Sequence, residues 1–265
     1  MTEAREEGKD EKLRLGGMAL RNGVLVHGPT SWACAIRRPN GELEVVAARK
    51  RIISSGVNNP LLRGPLRLLD AMAVLPAMKR RLPEAKLAFE QPRTLVGMAL
   101  SAAAVRVVRG SRLRPAVQEV ASAALALTPA LLALRSDDLA AYHGAEHISI
   151  GTYEHDEPRA REHERCGSHL VGPLLATTAA SNVVVAQVPE RYRPQARAAA
   201  SIGALAVATE IFGWMVRNPE HPVARALAKP GHELQHRFAT REPTPEQVEV
   251  AEAALRACLE LERAA

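Results

Sequence analysis

The segment 142–147, YHGAEH, combines two histidines and a glutamate at a spacing that suits a metal site. His143 and His147 are four residues apart and Glu146 lies three residues after His143, so on a helix all three project from one face. Two imidazoles so spaced bind one Zn²⁺, and a neighbouring carboxylate accepts a proton from an activated water. The segment predicts a divalent metal site, with zinc as the expected ion and Glu146 as general base. The alternative is two solvated histidines beside a solvated glutamate.

Such a site needs a third ligand, and four residues are candidates. His-x-x-Glu-His is the order of inverted zincins, in which a downstream glutamate completes the set. Glu210 fits this role because it interrupts the apolar run 198–216, where an isolated charge is costly. It could instead face water or pair with an arginine. Glu154 falls near the end of the histidine helix, and His163 and Cys166 follow it in a charged linker, where each could also be a solvated or simply buried residue.

The N-terminal part of the chain predicts β structure. Residues 14–48 contain three short apolar runs, and Pro39-Asn40-Gly41 separates the last two, 32–36 and 43–47. Asn and Gly tolerate positive φ, so this tripeptide predicts a hairpin turn. Residues 1–13 are highly charged without an apolar stretch typical of a signal peptide, and we expect a disordered tail there.

The rest of the chain predicts helices. Residues 49–65 look like a loop and 155–165 like a charged linker, and Thr244-Pro245-Glu246-Gln247 is a capping box that opens the last helix. The expected fold is mainly α with a small N-terminal β-hairpin unit. The expected helices cover 65–81, 94–105, 116–134, 136–154, 167–188, 198–216 and 245–262.

Composition limits the class of protein but does not decide between the cytoplasm and the membrane. With 47% apolar and 3% aromatic residues, the 265-residue chain can form an aliphatic, helical core. The chain carries a net charge of +6, but no predicted helix has basic residues along one side and few aromatic residues are available to stack on bases. We therefore expect no nucleic-acid partner. Residues 167–188 and 198–216 are long enough to span a membrane. Their weak hydrophobicity, and a mean hydropathy of −0.11 for the chain, fit helices buried in a soluble bundle equally well.

Several blocks of the sequence resemble the YqhQ family of bacterial proteins, which are described only as predicted metal-dependent enzymes. The resemblance implies integral membrane proteins with several spans, and it favours the metal site, because all seven candidate residues fall on family motifs. In this chain Thr209 replaces a family tyrosine and His27 a family arginine. The matching blocks are LGGMALRNGVLVHGPTSWACAIRRPNGEL from Leu15, PLLRG at 60–64, YHGAEH at 142–147 with Tyr153-Glu154, RCG at 165–167, Glu210-Ile211 and TREPTPEQVEVAEAAL from Thr240.

These observations together predict one domain over 14–265, a helical and membrane-associated bundle with the β unit at 14–48 and the helical body at 60–265. We expect a bacterial cell-membrane protein in contact with lipid, with the cytoplasm as the alternative. The predicted activity is zinc-dependent hydrolysis, of amide bonds by analogy with zincins. The alternative is a non-catalytic membrane scaffold or assembly factor with a closed structural site, whose four ligands would be His143, His147, His163 and Cys166.

Overall fold

The computed structural model describes residues 12–134 and 137–264. Most of the predicted tail 1–13 and the expected helix start at Ser136 lie outside these ranges. The strands are β1 (Gly16–Leu20), β2 (Gly23–His27), β3 (Ser31–Arg37) and β4 (Leu43–Arg49). The helices are α1 (Pro60–Arg81), α2 (Pro92–Gly110), α3 (Pro115–Leu134), α4 (Asp137–His155), α5 (Val171–Ala186), α6 (Arg193–Arg217), α7 (Pro222–Leu234) and α8 (Pro245–Arg263).

The four strands form an antiparallel sheet in the order β1-β2-β3-β4, with a layer of helix on each face. Alternate residues of β2 and β3 point to opposite faces. One set, which includes Val24 and Ala33, packs against α4 and α8. The other set, which includes Leu25 and Trp32, packs against the second half of α1. Because both faces are covered, β2 and β3 are apolar at nearly every position.

The prediction of a mainly helical protein with a small N-terminal β unit is confirmed, and the β unit is larger than a hairpin. The Pro39-Asn40-Gly41 turn joins β3 to β4, with Gly41 at φ 85° and the Arg38 amide bonded to the Glu42 carbonyl. β1 begins at Gly16 and pairs along its whole length with β2. Its first two residues are Gly16 and Gly17. Here paired neighbours outweigh the low strand preference of glycine.

The seven expected helices are all present, with shifted ends and two additions. α1 begins at Pro60, within the expected loop, because the Asn59 side chain caps the Leu61 amide and Pro60 occupies the first helical position. α7 was not predicted. It runs directly into a π-helical turn, Gln235–Ala239, a rare geometry that sequence pattern does not signal.

Two helical segments are long and apolar enough to cross a membrane on length and composition alone. They are Gly167–Ala186, which contains α5, and Glu190–Arg217, which contains α6. In each segment, only 22% of the most apolar 18-residue stretch is buried by the rest of the chain. The core helix of a soluble protein is instead mostly buried. Apolar side chains such as Val183, Val184 and Ile202 are 65–69% exposed on these helices. On its own, this exposure of two apolar helices is weak evidence for membrane association.

One carboxylate ties the C-terminal helix to the sheet. Glu262 of α8 accepts hydrogen bonds from the backbone and side chain of both Thr30 and Ser31, at 2.7–2.9 Å. Burial alone would raise the pKa of Glu262, but these hydrogen bonds outweigh it and lower the pKa below its usual value. The charged form of Glu262 therefore stabilises the contact between α8 and the start of β3.

We predict that Glu262→Ala lowers the free energy of unfolding by about 2–3 kcal/mol at neutral pH, because hydrogen bonds to a charged acceptor are lost. Since the folded pKa is depressed, this contribution is complete above the pKa of the unfolded state, near 4.5, and is lost as the pH falls through the folded pKa. Urea unfolding at several pH values measures both effects. Glu260→Ala, an exposed site on the same helix, is the matched control. An equal loss in the two variants would contradict the prediction.

Candidate metal centre

The predicted site lies on α4, and the fold determines which face of that helix is buried. Tyr142, Ala145 and Ile150 pack into the core that α4 shares with the sheet and α8. His143, Glu146 and His147 lie beside this core, next to the loop 156–166 and the π-helical turn. The His147 side chain is 2% exposed and the Glu146 side chain 8%, against 17% for His143. Access from solvent is therefore on the His143 side.

Backbone carbonyls determine the tautomer of both histidines. Nδ1 of His143 lies 2.8 Å from the Ala239 carbonyl oxygen, and Nδ1 of His147 lies 2.6 Å from that of Arg161. A carbonyl oxygen only accepts, so each Nδ1 carries the proton. Each Nε2 is then left with a free lone pair, as in metal-binding histidines held by an outer carbonyl. Burial, and then the nearby His143, hold the pKa of His147 well below its usual range, which keeps its ring neutral.

Cys166 completes a group of three convergent ligand atoms. The ligand atoms of His143, His147 and Cys166 all lie within 4.8 Å of one another. Sγ of Cys166 lies 3.6 Å from Nε2 of His143. With bonds of about 2.0–2.1 Å to nitrogen and 2.3 Å to sulfur, the N-to-S edge of a zinc tetrahedron is also about 3.6 Å. Two imidazoles and a thiol are a donor set that suits zinc. These residues could hold a metal ion.

Glu146 lies against the same space. One carboxylate oxygen is 3.8 Å from Nε2 of His143 and 3.9 Å from Nε2 of His147. Burial raises the pKa of Glu146 to about 7, and the nearby His143 opposes this shift. β1 passes so close that a β-carbon on Gly17 would collide with the Glu146 carboxylate. The absence of a side chain at Gly17 therefore leaves room for the predicted general base.

Glu154 and His163 form an outer layer rather than part of the convergent group. Nε2 of His163 donates to Glu154 at 3.1 Å, and Nδ1 of His163 accepts from the Arg165 amide at 3.4 Å. The other Glu154 oxygen pairs with the Arg165 guanidinium. Both nitrogens of His163 and both oxygens of Glu154 are thus occupied. The His163 ring still lies near the site, with its centroid 5.5 Å from that of His147.

Glu210 lies outside the convergent group as well. Its carboxylate pairs with the guanidinium of Arg63 through both oxygens, linking α6 to the start of α1. This is the arginine partner that the sequence left open as the alternative to a ligand role. The pair explains how a carboxylate is accommodated in the apolar run 198–216.

Gln235 is a site residue that the sequence analysis missed. Its side chain is fully buried, accepts from the His163 amide at 2.8 Å, and donates to the His163 carbonyl at 3.1 Å and to Ser168 Oγ at 2.6 Å. These hydrogen bonds hold the chain in place before and after Cys166, at His163 and Ser168. The same π-helical turn supplies the Ala239 carbonyl that orients His143. No local pattern around Gln235 signals these contacts, because their partners are 67–72 residues away.

Part of the chain is similar to one known family. Residues 135–261 match the model of a family described as "Protein of unknown function (DUF1385)". The match contains α4, Cys166, Glu210 and the π-helical turn, and it begins after the sheet. The match shows similarity to an uncharacterised domain family over these residues and assigns no activity. Neither the curated proteins nor the solved structures include a match to this chain.

We predict that Gln235→Leu weakens zinc binding by about 10–100-fold, the usual range for loss of an outer-layer partner. Leucine has a similar volume but cannot hold the two sides of the Cys166 loop. Competition with a chromophoric chelator measures the affinity. Val74→Ala, in the core between α1 and the sheet, is the control for lost stability without contact to the site. Equal zinc affinity in Gln235→Leu and wild type would show that Gln235 does not position the ligands.

Proposed function

We propose that this protein is a zinc-dependent hydrolase. The observation that carries the proposal is the convergence of two imidazole Nε2 atoms and one thiol, with a buried carboxylate beside them. Three protein ligands with room for a fourth group are typical of catalytic zinc, whereas structural zinc has four protein ligands. His163, the fourth ligand expected for a closed site, is bonded instead to Glu154.

The side chains of the chain have separate roles in this proposal. His143, His147 and Cys166 hold the ion, and bound zinc supplies Lewis-acid activation of a water and a carbonyl group. Glu146 accepts the proton of the attacking water and returns it to the leaving group. The Ala239 and Arg161 carbonyls keep the imidazoles oriented. Amide bonds are the proposed substrate class by analogy with zincins.

We further propose that the chain works at a bacterial membrane. α5 and α6 present apolar side chains outward over much of their length, and most of each apolar window is not covered by the rest of the chain. A bilayer would cover this surface. A more specific YqhQ-like identity is proposed on the sequence blocks at 15–43 and 60–64, which precede the family match.

We predict that the purified chain binds one zinc ion and that His143→Ala, His147→Ala and Cys166→Ala each remove it, since each deletes one of three ligands. Glu146→Gln should retain the ion but no longer hydrolyse peptides. Incubation with peptide libraries, analysed by mass spectrometry, measures the hydrolysis. Glu210→Gln is the matched control, because Glu210 is paired with Arg63. Metal analysis gives the stoichiometry. Unchanged zinc in the three alanine variants, or its loss in Glu146→Gln, would overturn the assignment.

The open coordination position has its own readout. In the cobalt-substituted protein, acetohydroxamic acid should shift the visible spectrum of both wild type and Glu146→Gln, because an external ligand can enter an open site. The thiolate-to-cobalt absorption should vanish in Cys166→Ser. A spectrum that does not respond to acetohydroxamic acid would contradict the hydrolase and favour the structural site of a non-catalytic scaffold.

We predict that the chain expressed in bacteria stays in the membrane pellet after alkaline carbonate extraction. The Leu175→Lys/Ala179→Lys double variant should partition to the supernatant, since both sites are exposed near the middle of Gly167–Ala186, where each lysine opposes insertion by about 2.5–3.5 kcal/mol. Immunoblotting of the two fractions measures the distribution. Val45→Lys, at an exposed position of β4, is the control. Recovery of the wild-type chain in the carbonate supernatant would contradict membrane insertion.

A further inference from the structure

A cavity of about 780 Å³ lies between the end of α6, α7 and the loop that follows α4. Glu154 and His163 line one side of it, so it borders the outer layer of the metal centre. None of His143, His147 and Cys166 lines it. The cavity is therefore a neighbouring compartment, large enough for a small ligand, that the hydrolase proposal does not use.

The charge of the lining is predominantly positive. Seven lysines and arginines face four glutamates around the cavity. Two of these glutamates are already engaged, because Glu154 pairs with Arg165 and Glu162 pairs with Arg161 and His236. A third, Glu164, lies 3.8 Å from Arg159. Three of the four glutamates are thus committed to contacts at the loop side of the cavity, and the fourth, Glu220, lies between α6 and α7.

The cations on the opposite wall are arranged differently. Arg217 ends α6, and Arg225 and Lys229 lie four residues apart on α7, so they share one helix face. None of the three forms a salt bridge with a residue in 12–134 or 137–264. His232 lines the cavity one turn further along the same face. Glu220 also lines the cavity, and Arg217 helps to lower the pKa of Glu210, but three cations against Glu220 leave this wall with a net positive charge.

The remaining wall of the cavity is apolar. Phe212, Met215 and Val216 contribute to it from the last turns of α6. This helix is the apolar segment Glu190–Arg217, which is long enough to cross a membrane. The cavity therefore joins an apolar surface to a cationic one at the end of a candidate span. Basic residues at that position are well placed to meet lipid headgroups.

We propose that this cavity binds an amphiphile with a phosphomonoester headgroup, whose phosphate lies against Arg217, Arg225 and Lys229 and whose acyl part lies against Phe212. A phosphomonoester carries a charge of about −1.5 to −2 at neutral pH and offers three acceptor oxygens, which suits several separate cations better than a single carboxylate does. The proposal does not rest on the metal centre, because no metal ligand contributes to the cavity.

Isothermal titration of the detergent-purified full chain tests the proposal with three probes: inorganic phosphate, dihexanoyl phosphatidic acid and dihexanoyl phosphatidylcholine. We expect phosphatidic acid to bind most tightly, inorganic phosphate more weakly and phosphatidylcholine not measurably. The Arg225→Gln/Lys229→Gln variant should weaken phosphatidic acid binding by at least about tenfold, because two charged contacts are lost. Both side chains are exposed, so these changes do not disturb the core.

Two further variants separate the charged and apolar walls. Phe212→Ser should weaken the binding of phosphatidic acid and leave that of inorganic phosphate unchanged. Lys86→Gln/Arg256→Gln removes the same two charges at exposed positions outside the cavity and should bind as wild type does. Equal affinity for inorganic phosphate and phosphatidic acid would overturn the amphiphile. Unchanged binding in Arg225→Gln/Lys229→Gln, or no binding of phosphatidic acid to wild type, would overturn the site itself.

Discussion

Two backbone carbonyl groups, those of Ala239 and Arg161, determine what the histidines of α4 can do. Each accepts the Nδ1 proton of one ring and leaves the Nε2 lone pairs of His143 and His147 directed toward the same space as Cys166. Convergent acceptors repel one another unless a proton or a cation lies between them. The thiol proton of Cys166 can satisfy one of the two rings. A metal ion would satisfy both, and so the arrangement fits a metal better than a chance meeting of polar groups.

The rest of the fold supplies the burial on which this arrangement depends. α4 is held by its apolar face against the sheet and α8, with Tyr142 and Ile150 in that core. The close approach of β1 at Gly17 then keeps the Glu146 carboxylate out of bulk solvent. The N-terminal sheet, which lies outside the family match, thereby contributes directly to the candidate centre inside it. Burial strengthens each electrostatic contact there and makes each unsatisfied group costly.

Sequence could predict the parts of this centre that are local and not the parts that come from distant chain. The spacing of His143 and His147 reports one face of a helix, and the nearby Cys166 could be recognised by its type alone. Gln235 and Ala239 could not be recognised, because their role consists of contacts with residues about 70–100 positions earlier. Glu210 shows where local sequence leaves two roles open. Its chemistry suited a ligand, but Arg63 of another helix satisfies it, and only the tertiary structure reveals such a partner. The same reasoning explains why the hairpin turn at Gly41 was predictable while β1 was not.

Cys166 lies between α4, which packs on the sheet, and α5, a candidate membrane helix. Cys166 is the N-cap of the short helical turn Gly167–Leu170, and this turn leads into α5. The histidines belong to α4, which is anchored on the sheet. A metal held by all three would therefore join the sheet-anchored helix to the start of an apolar helix by direct coordination. Such a link restricts how α5 moves relative to α4, because ligand atoms must stay within bonding distance of one ion. It also keeps Glu146 and the bordering cavity at the same end of the apolar helices, where a headgroup and a reactive centre would meet.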